Sequence, residues 1–339
     1  MADTILIWGA GAIGGTLGAY WKRAGHDVVL VDTVEAHVIA CRTRGLSIEG
    51  PLDTFTTIIP AFTPDELKGQ FSRVVLAVKA QATRAAATAL LPHLAPDGYV
   101  VSLQNGLNEL TISEIVGPER TIGCFVNFGA DWLGPGQILF GNRSSLVVGE
   151  IDGSIRERTR ALHQLMQVFE PDAVLTPEIW SYLWGKLVYG AMLFATAITD
   201  DSMSANFADP RRAPAWHALG REVVAAALAN GVTPRGFGEF DPLAFRPGAP
   251  RAEGDRVIAW LADFTLKTAK THSGVWRDLA VRKRKTEVDE QIAVISTLAA
   301  QKGVDTPAIR TLVGLVHDVE EGRLPLSYDT LKRLIDTCT

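Results

Sequence analysis

The run Gly9-Ala10-Gly11-Ala12-Ile13-Gly14 constrains the fold of this chain more than any other stretch. It follows Thr4-Ile5-Leu6-Ile7-Trp8, an apolar run with the character of a buried strand, and it opens a helical pattern that reaches Tyr20 and Lys22. The next apolar run, Val28-Val29-Leu30-Val31, ends at Asp32. A G-x-G-x-x-G alone is a weak pattern. Between a strand and a helix, with an acidic residue closing the following strand, it is a strong one. Gly9 permits a tight turn, Gly11 lets the backbone approach a ligand without a Cβ clash, and Gly14 lets the helix pack closely on the strand. The free N–H groups and positive dipole end of the helix then favour a pyrophosphate, so Gly9 to Gly14 are expected to hold a dinucleotide.

Further strands are predicted at Val74 to Val78 and Tyr99 to Leu103, with a helix from Ala82 to Leu91 between them. Continuous rather than alternating apolar runs suit a parallel sheet covered on both faces. The stretch from Gly123 to Gly149 reads as more strands around a Gly134-Pro135-Gly136 turn, followed by a helix from Ser154 to Val168. After Pro177 the patterns are helical: Glu178 to Ala197, Ala213 to Asn230, Gly254 to Thr271, Thr286 to Gln301, Pro307 to Glu320 and Asp329 to Asp336. The expected fold class is α/β, an N-terminal Rossmann-type doubly wound sheet over residues 1–176 followed by an all-helical domain over residues 177–339. Glycine and proline crowd residues 233–254, which predicts a loop able to act as a lid.

Composition excludes several classes. With 47% hydrophobic and 21% charged residues the chain can bury a core. A net charge of −5 gives no reason to expect nucleic acid or an anionic membrane as partner. Cys41, Cys124 and Cys338 lie far apart, and the seven histidines show no ligand spacing, so neither a disulfide framework nor a metal site is expected. No apolar run is long enough to span a bilayer. The N-terminus has the acidic Asp3, glycine breaks and no basic region, so it reads as strand and turn rather than signal peptide, and a cytoplasmic location is expected.

Asp32 sits where the adenosine ribose of a bound dinucleotide should lie. A carboxylate there accepts bonds from ribose hydroxyls and repels a 2′-phosphate, which favours NAD over NADP. Arg42 and Arg44 argue the other way, since either could fold back onto a phosphate, and they leave NADP open.

Four further stretches stand in order behind the glycine turn: Val78-Lys79-Ala80, Leu103-Gln104-Asn105-Gly106-Leu107, Trp184-Gly185-Lys186-Leu187 and Thr286-Glu287-Val288-Asp289. Together they resemble the ketopantoate reductase (2-dehydropantoate 2-reductase) family, from Ile5 to about Leu315. The resemblance implies an active site in a cleft between the two domains and reduction of a 2-oxo acid by a reduced nicotinamide. It implies Lys186 as general acid, Glu287 as a substrate-binding carboxylate, and Asn105 as the amide that positions nicotinamide or substrate carbonyl. Lys79 is expected to touch cofactor or substrate carboxylate, and Ser273 stands near the family's substrate-contacting serine. The residues themselves support Lys186: an ammonium in so apolar a helix is partly desolvated, which eases proton release, and it can stabilise a developing alkoxide. Plain structural roles compete at each position. Lys186 could snorkel to solvent, Thr286-Glu287 could cap a helix, and Asn105-Gly106 is a turn signal.

Three departures bear on the substrate. The family's asparagines four and eight residues after the catalytic lysine are here Gly190 and Phe194, on the same helix face as Lys186. A pocket without those amides binds a hydroxylated acid poorly and suits an apolar or aromatic side chain. The spacing from Ser273 to Glu287 is one or two residues longer than usual, filled by Arg282-Lys283-Arg284-Lys285, which reads as a solvated helix face. Thr33 follows Asp32 where the family carries a basic residue suited to NADP.

The expected function is therefore NAD(P)-dependent reduction of a small 2-oxo acid. The alternatives are an authentic NADPH-dependent ketopantoate reductase of pantothenate biosynthesis, a dehydrogenase joining a keto acid to an amine, and a dinucleotide-binding sensor or scaffold without catalysis. The apolar helical half is compatible with a homodimer.

Overall fold

The computed structural model describes residues 4–268 and 270–338. Asp3 and Ala269, which the readings above include, lie outside the described residues. The chain divides into two compact units, Met1–Ile179 and Trp180–Thr339.

In the first unit the chain runs through β1 (Ile5–Trp8), α1 (Ala12–Arg23), β2 (Val28–Val31), α2 (Glu35–Thr43), β3 (Leu46–Glu49), β4 (Phe55–Thr57), β5 (Ala61–Phe62) and β6 (Phe71–Leu76). It continues through α3 (Thr83–Leu90), β7 (Leu94–Ser102), α4 (Asn108–Val116), β8 (Thr121–Val126), β9 (Gly129–Gly134), β10 (Gln137–Asn142), β11 (Leu146–Glu150), α5 (Glu157–Phe169) and β12 (Val174–Leu175). The main sheet has the order β12-β11-β8-β7-β6-β1-β2-β5. From β8 to β5 every pair is parallel, whereas β11 runs antiparallel to β8. The chain winds outward in both directions from β1, so the strand order reverses between β1 and β6. Sheets of this kind bind ligands at that reversal, beyond the carboxyl ends of the strands.

Alternate residues of β1 feed two separate cores. Ile5 and Ile7 pack on one face with Leu17, Leu30 and Val101; Leu6 and Trp8 pack on the other with Val74, Ala87 and Ile112. This is why the strands read as unbroken apolar runs: neither face meets water. A second sheet, β4-β3-β10-β9, adds Leu46, Ile48, Ile138 and Phe140 to the first core.

The second unit is helical: α6 (Ile179–Ala197), α7 (Met203–Ala208), α8 (Ala213–Ala229), α9 (Arg251–Leu266), α10 (Gly274–Trp276), α11 (Val294–Ala300), α12 (Pro307–Glu320) and α13 (Tyr328–Asp336). No helix among the described residues is long and apolar enough to cross a membrane.

Several sequence expectations need correction. The strand expected at 74–78 is β6, which stops at Leu76; Ala77 and Val78 instead pass over Gly9. The helix expected from Gly254 starts at Arg251, behind Pro250, and ends at Leu266. The single helix expected from Thr286 is broken: a π-turn spans Asp289–Ala293 and α11 follows. Thr286 is held outside it because its backbone N–H and hydroxyl both donate to Glu320 Oε1, at 2.7 and 2.6 Å. The basic run Arg282 to Lys285 is exposed but is not helical, and Lys283 adopts φ +48°. Arg282 and Arg284 both reach back to the buried carboxylate of Asp278, which pulls the chain into a turn. Residues 233–254 are not a structureless lid. A short 3-10 turn spans Pro242–Phe245, and Phe237 and Phe240 pack against the Tyr189 ring, with centroids 5.5 and 5.8 Å away. The Arg235 N–H donates to the Ser181 carbonyl, and a Cβ on Gly185 would overlap the Arg235 carbonyl oxygen, so this loop is seated on α6.

Candidate active site

The glycine turn is built for close approach. Gly9 has φ +103°, and a Cβ there would lie 2.7 Å from the Ala77 carbonyl carbon. A Cβ on Gly14 would overlap the Gly9 carbonyl oxygen, so only glycine lets α1 start this close to β1. Gly11 differs: a Cβ there would meet nothing within 4 Å. Its conformation does not need glycine (φ −67°), so the space beside it is what a side chain would occupy. No side chain caps α1 at its N-terminus. Open space beside uncapped first-turn N–H groups fits a diphosphate.

Asp32 closes β2 and turns back onto this turn. Its Oδ2 accepts the Ala10 N–H at 3.0 Å, and its Oδ1 accepts the Val34 N–H at 2.9 Å. Each oxygen retains a lone pair for a ribose hydroxyl. Arg42, a rival phosphate ligand in the sequence, pairs with Glu66 at 3.2 Å.

Two further loops meet beside the strand reversal. Gln104 is buried; its amide donates to the Val78 carbonyl at 2.9 Å and to the Thr83 hydroxyl at 2.7 Å. That hydroxyl donates to Asn108 Oδ1 at 2.8 Å, and Asn108 Nδ2 donates to the Asn105 carbonyl at 2.7 Å. The chain of bonds ties the loop after β6 to the turn after β7, leaving the side chains of Lys79 and Asn105 exposed. Gly106 takes φ +99°, which the turn requires.

His37, on α2, also engages the glycine turn. It is 1% exposed; Nε2 lies 2.8 Å from the Ala10 carbonyl oxygen, while Nδ1 receives the Gly136 N–H at 2.9 Å and the Trp132 indole N–H at 3.3 Å.

In the second unit, α6 is buried on most sides. Tyr182, Lys186, Gly190 and Leu193 form a half-exposed stripe at helical spacing. A Cβ on Gly190 would meet nothing within 4 Å, so space opens on the lysine's own face. Phe194 is 1% exposed and belongs to the packed interior rather than to that stripe. Ser273 is buried, and its hydroxyl accepts the Trp276 N–H at 3.2 Å as the cap of α10. Glu287 is buried in the turn ahead of the π-turn, where its carbonyl accepts the Gln291 N–H. Burial, then the neighbouring Asp289, Glu287 and Glu320 carboxylates, raises Glu290 above the usual carboxylate range. Burial, then Arg282, lowers Arg277.

The first unit therefore gathers Gly9 to Gly14, Asp32, Lys79 and Asn105 around one strand reversal. The second carries Lys186 and Gly190 on one helix stripe, with Ser273 and Glu287 on the segment between α9 and α11. Sequence reading missed the supporting residues Gln104, Thr83 and His37. Gln104 stands inside the L-Q-N-G-L motif and could have been suspected. Thr83 and His37 carry no signal, because their partners are backbone or distant side chains. Among the described residues no group of three or more His, Cys, Asp or Glu could hold a metal.

Comparison with known proteins bears on the same residues. The model of the family described as "Ketopantoate reductase PanE/ApbA" matches residues 5–153, and that of its C-terminal part matches residues 178–320. A 2-dehydropantoate 2-reductase of Mesorhizobium japonicum is 28% identical, over 92% of this chain and 96% of its own length. One from Streptococcus pyogenes is 23% identical over 93% and 97%. Among solved structures, a PanE/ApbA family ketopantoate reductase from Ralstonia eutropha superposes with a TM-score of 0.78 at 25% identity, covering 94% of this chain and 99% of that one. A ternary structure of D-mandelate dehydrogenase with NADH and anilino(oxo)acetate gives a TM-score of 0.81 at 22% identity, with the same coverage. Both halves of the chain match, in order, the two parts of one enzyme family, and the first half has the sheet and glycine turn that such an enzyme needs: the chain belongs to the ketopantoate reductase family and is an NAD(P)-dependent oxidoreductase acting on a carbonyl or hydroxyl carbon.

Proposed function

We propose that this enzyme reduces a 2-oxo acid with an apolar or aromatic side chain, using NADH in preference to NADPH. The observation that carries the substrate reading is the open space above Gly190 on the one face of α6 that presents Lys186. A glycine there offers no hydrogen-bonding group to a substrate hydroxyl and leaves volume for a larger group. The cofactor preference rests on Asp32, whose charge would meet a 2′-phosphate. The D-mandelate dehydrogenase of like fold, solved with NADH and anilino(oxo)acetate, agrees with both choices.

A bound reduced nicotinamide would supply the hydride chemistry for a carbonyl carbon. This chain does the rest. The glycine turn and α1 take the diphosphate, and Asp32 takes the ribose. Asn105 orients the reacting groups, and Lys79 offers a positive charge to cofactor or substrate carboxylate. Lys186 gives its proton to the carbonyl oxygen as the alkoxide develops, and Glu287 orients the ammonium and substrate. Ser273 completes the expected substrate contacts, whereas Phe194, packed on the interior side of α6, backs the site without lining it. Domain boundaries at 176 and 177 belong to the same reading, with one unit serving the cofactor and the other the substrate.

The test is cofactor oxidation with NADH and NADPH against pyruvate, ketopantoate, a branched 2-oxo acid and phenylglyoxylate, for the wild type and Lys186→Ala. The expected result is the highest kcat/KM with phenylglyoxylate or the branched acid and NADH. Lys186→Ala should keep NADH affinity within about twofold and lose turnover by roughly 10²–10⁴-fold. Best turnover with ketopantoate and NADPH would favour the pantothenate role that the names of the curated relatives suggest. Near-normal turnover in Lys186→Ala would remove that residue from the mechanism. Tight cofactor binding with no turnover on any acid would point to a sensor.

A further inference from the structure

We propose that His37 is a positioning residue for the cofactor diphosphate: a buried, neutral imidazole that sets the direction of the Gly11 N–H. The inference rests on the cofactor reading above and goes beyond it by naming what holds the phosphate-binding backbone in place.

The ring's partners assign its tautomer. The Gly136 backbone N–H and the Trp132 indole N–H can only donate, and both point at Nδ1. Nδ1 is therefore the acceptor and the proton sits on Nε2, which donates to the Ala10 carbonyl at 2.8 Å. An imidazolium could not accept those two bonds. The Ala10 N–H on the other side of the same residue is held by Asp32 at 3.0 Å. The carbonyl of Ala10 and the N–H of Gly11 belong to one planar trans peptide and point in opposite directions. Holding the carbonyl inward on His37 thus turns the Gly11 N–H away from the ring. Glycine at position 11 would otherwise let this peptide rotate at little cost. His37 links the turn, through Trp132 and Gly136, to the β9–β10 hairpin, so the donor is oriented before any ligand arrives, which lowers the cost of binding.

Two substitutions separate the two ends of the ring. His37→Gln places an amide N–H near the position of Nε2 and keeps the donor to Ala10. His37→Asn places an amide oxygen near the position of Nδ1 and keeps the acceptor for the hairpin, but does not reach Ala10. Titration with NADH by fluorescence, together with steady-state kinetics, reads the outcome. The expected result is an NADH Kd raised about tenfold in His37→Asn, with kcat at saturating cofactor unchanged, and a Kd within about twofold of wild type in His37→Gln. Equal effects in both variants, or none in either, overturn the proposal. The ¹⁵N chemical shifts of the His37 ring in the wild-type protein give a second readout that does not depend on how the variants fold. They should report the Nε2–H tautomer, and an Nδ1–H tautomer or an imidazolium overturns the proposal. Failure of the wild type to bind NADH or NADPH would instead sink the cofactor reading, and this one with it.

Discussion

Glu109 is the second residue of α4, just behind the L-Q-N-G-L turn, and it is fully buried. Among the described residues neither of its carboxyl oxygens has a hydrogen-bond partner of good geometry, although the Ser102 hydroxyl and the Cys124 backbone face it and offset part of the cost of burial. Burial is the main cause that pushes its carboxyl up to about 8, from an ordinary value of 4.5. The folded chain therefore holds this proton over a range in which the unfolded chain has released it. The sign follows: the contribution to stability is complete below 4.5, falls as pH rises from 4.5 to 8, and is flat above. Each pH unit in that window removes ~1.4 kcal/mol, which amounts to roughly 3 kcal/mol by pH 7. For a unit of this size that is a fall in Tm of about 6–12 °C relative to a chain without the group. Glu109→Gln replaces the acid by a neutral isostere and removes the titration. Thermal melts of wild type and variant from pH 5 to pH 8.5 should start close together or offset by a constant, then diverge as the wild type loses stability. The readout is the difference in slope, so a uniform cost of packing the amide does not confuse it. Parallel Tm-against-pH curves would refute the reasoning, because they would mean that the carboxyl is solvated or paired in the folded state.

The glycines of the turn should separate folding from binding. Gly14→Ala forces a methyl into the Gly9 carbonyl and should cost about 3 kcal/mol or more, seen as a large drop in Tm. Gly11→Ala meets nothing in the folded chain, so its Tm should stay close to wild type while the NADH Kd rises at least about tenfold; unchanged affinity would place the phosphates elsewhere. On α6, Gly190→Asn fills the open space beside Lys186 with an amide. It should shift the kcat/KM ratio from phenylglyoxylate towards ketopantoate by about tenfold or more, and an unmoved ratio would separate Gly190 from specificity.

Local rules were sufficient for much of the molecule. Gly9, Gly11 and Gly14 could be assigned three different tasks from spacing alone, and the close contacts at Gly9 and Gly14 agree with theirs. The apolar runs of β1, β2, β6 and β7 announced strands buried on two faces, because burial on both sides removes the alternation that a half-exposed strand would show. The helical half was legible as helices. Its irregular segments were not, since they depend on bonds to distant partners: Glu320 holds Thr286 out of a helix, and Asp278 folds the basic run back on itself. The proline- and glycine-rich segment read as a loop able to act as a lid, yet its aromatic residues are anchored on Tyr189.

The amino-acid order alone settled the glycine turn, its strand and helix and the family motifs, and it singled out Asp32, because each depends on residues within a few positions of one another. Only the tertiary structure decided that Gln104 ties two loops beside the strand reversal, that His37 grips the back of the glycine turn, and that Glu109 is fully buried near Ser102 and Cys124. The first two roles arise where segments 20 to 100 residues apart meet away from water, and a polar group's partner in such a place is chosen by packing rather than by its neighbours in the chain.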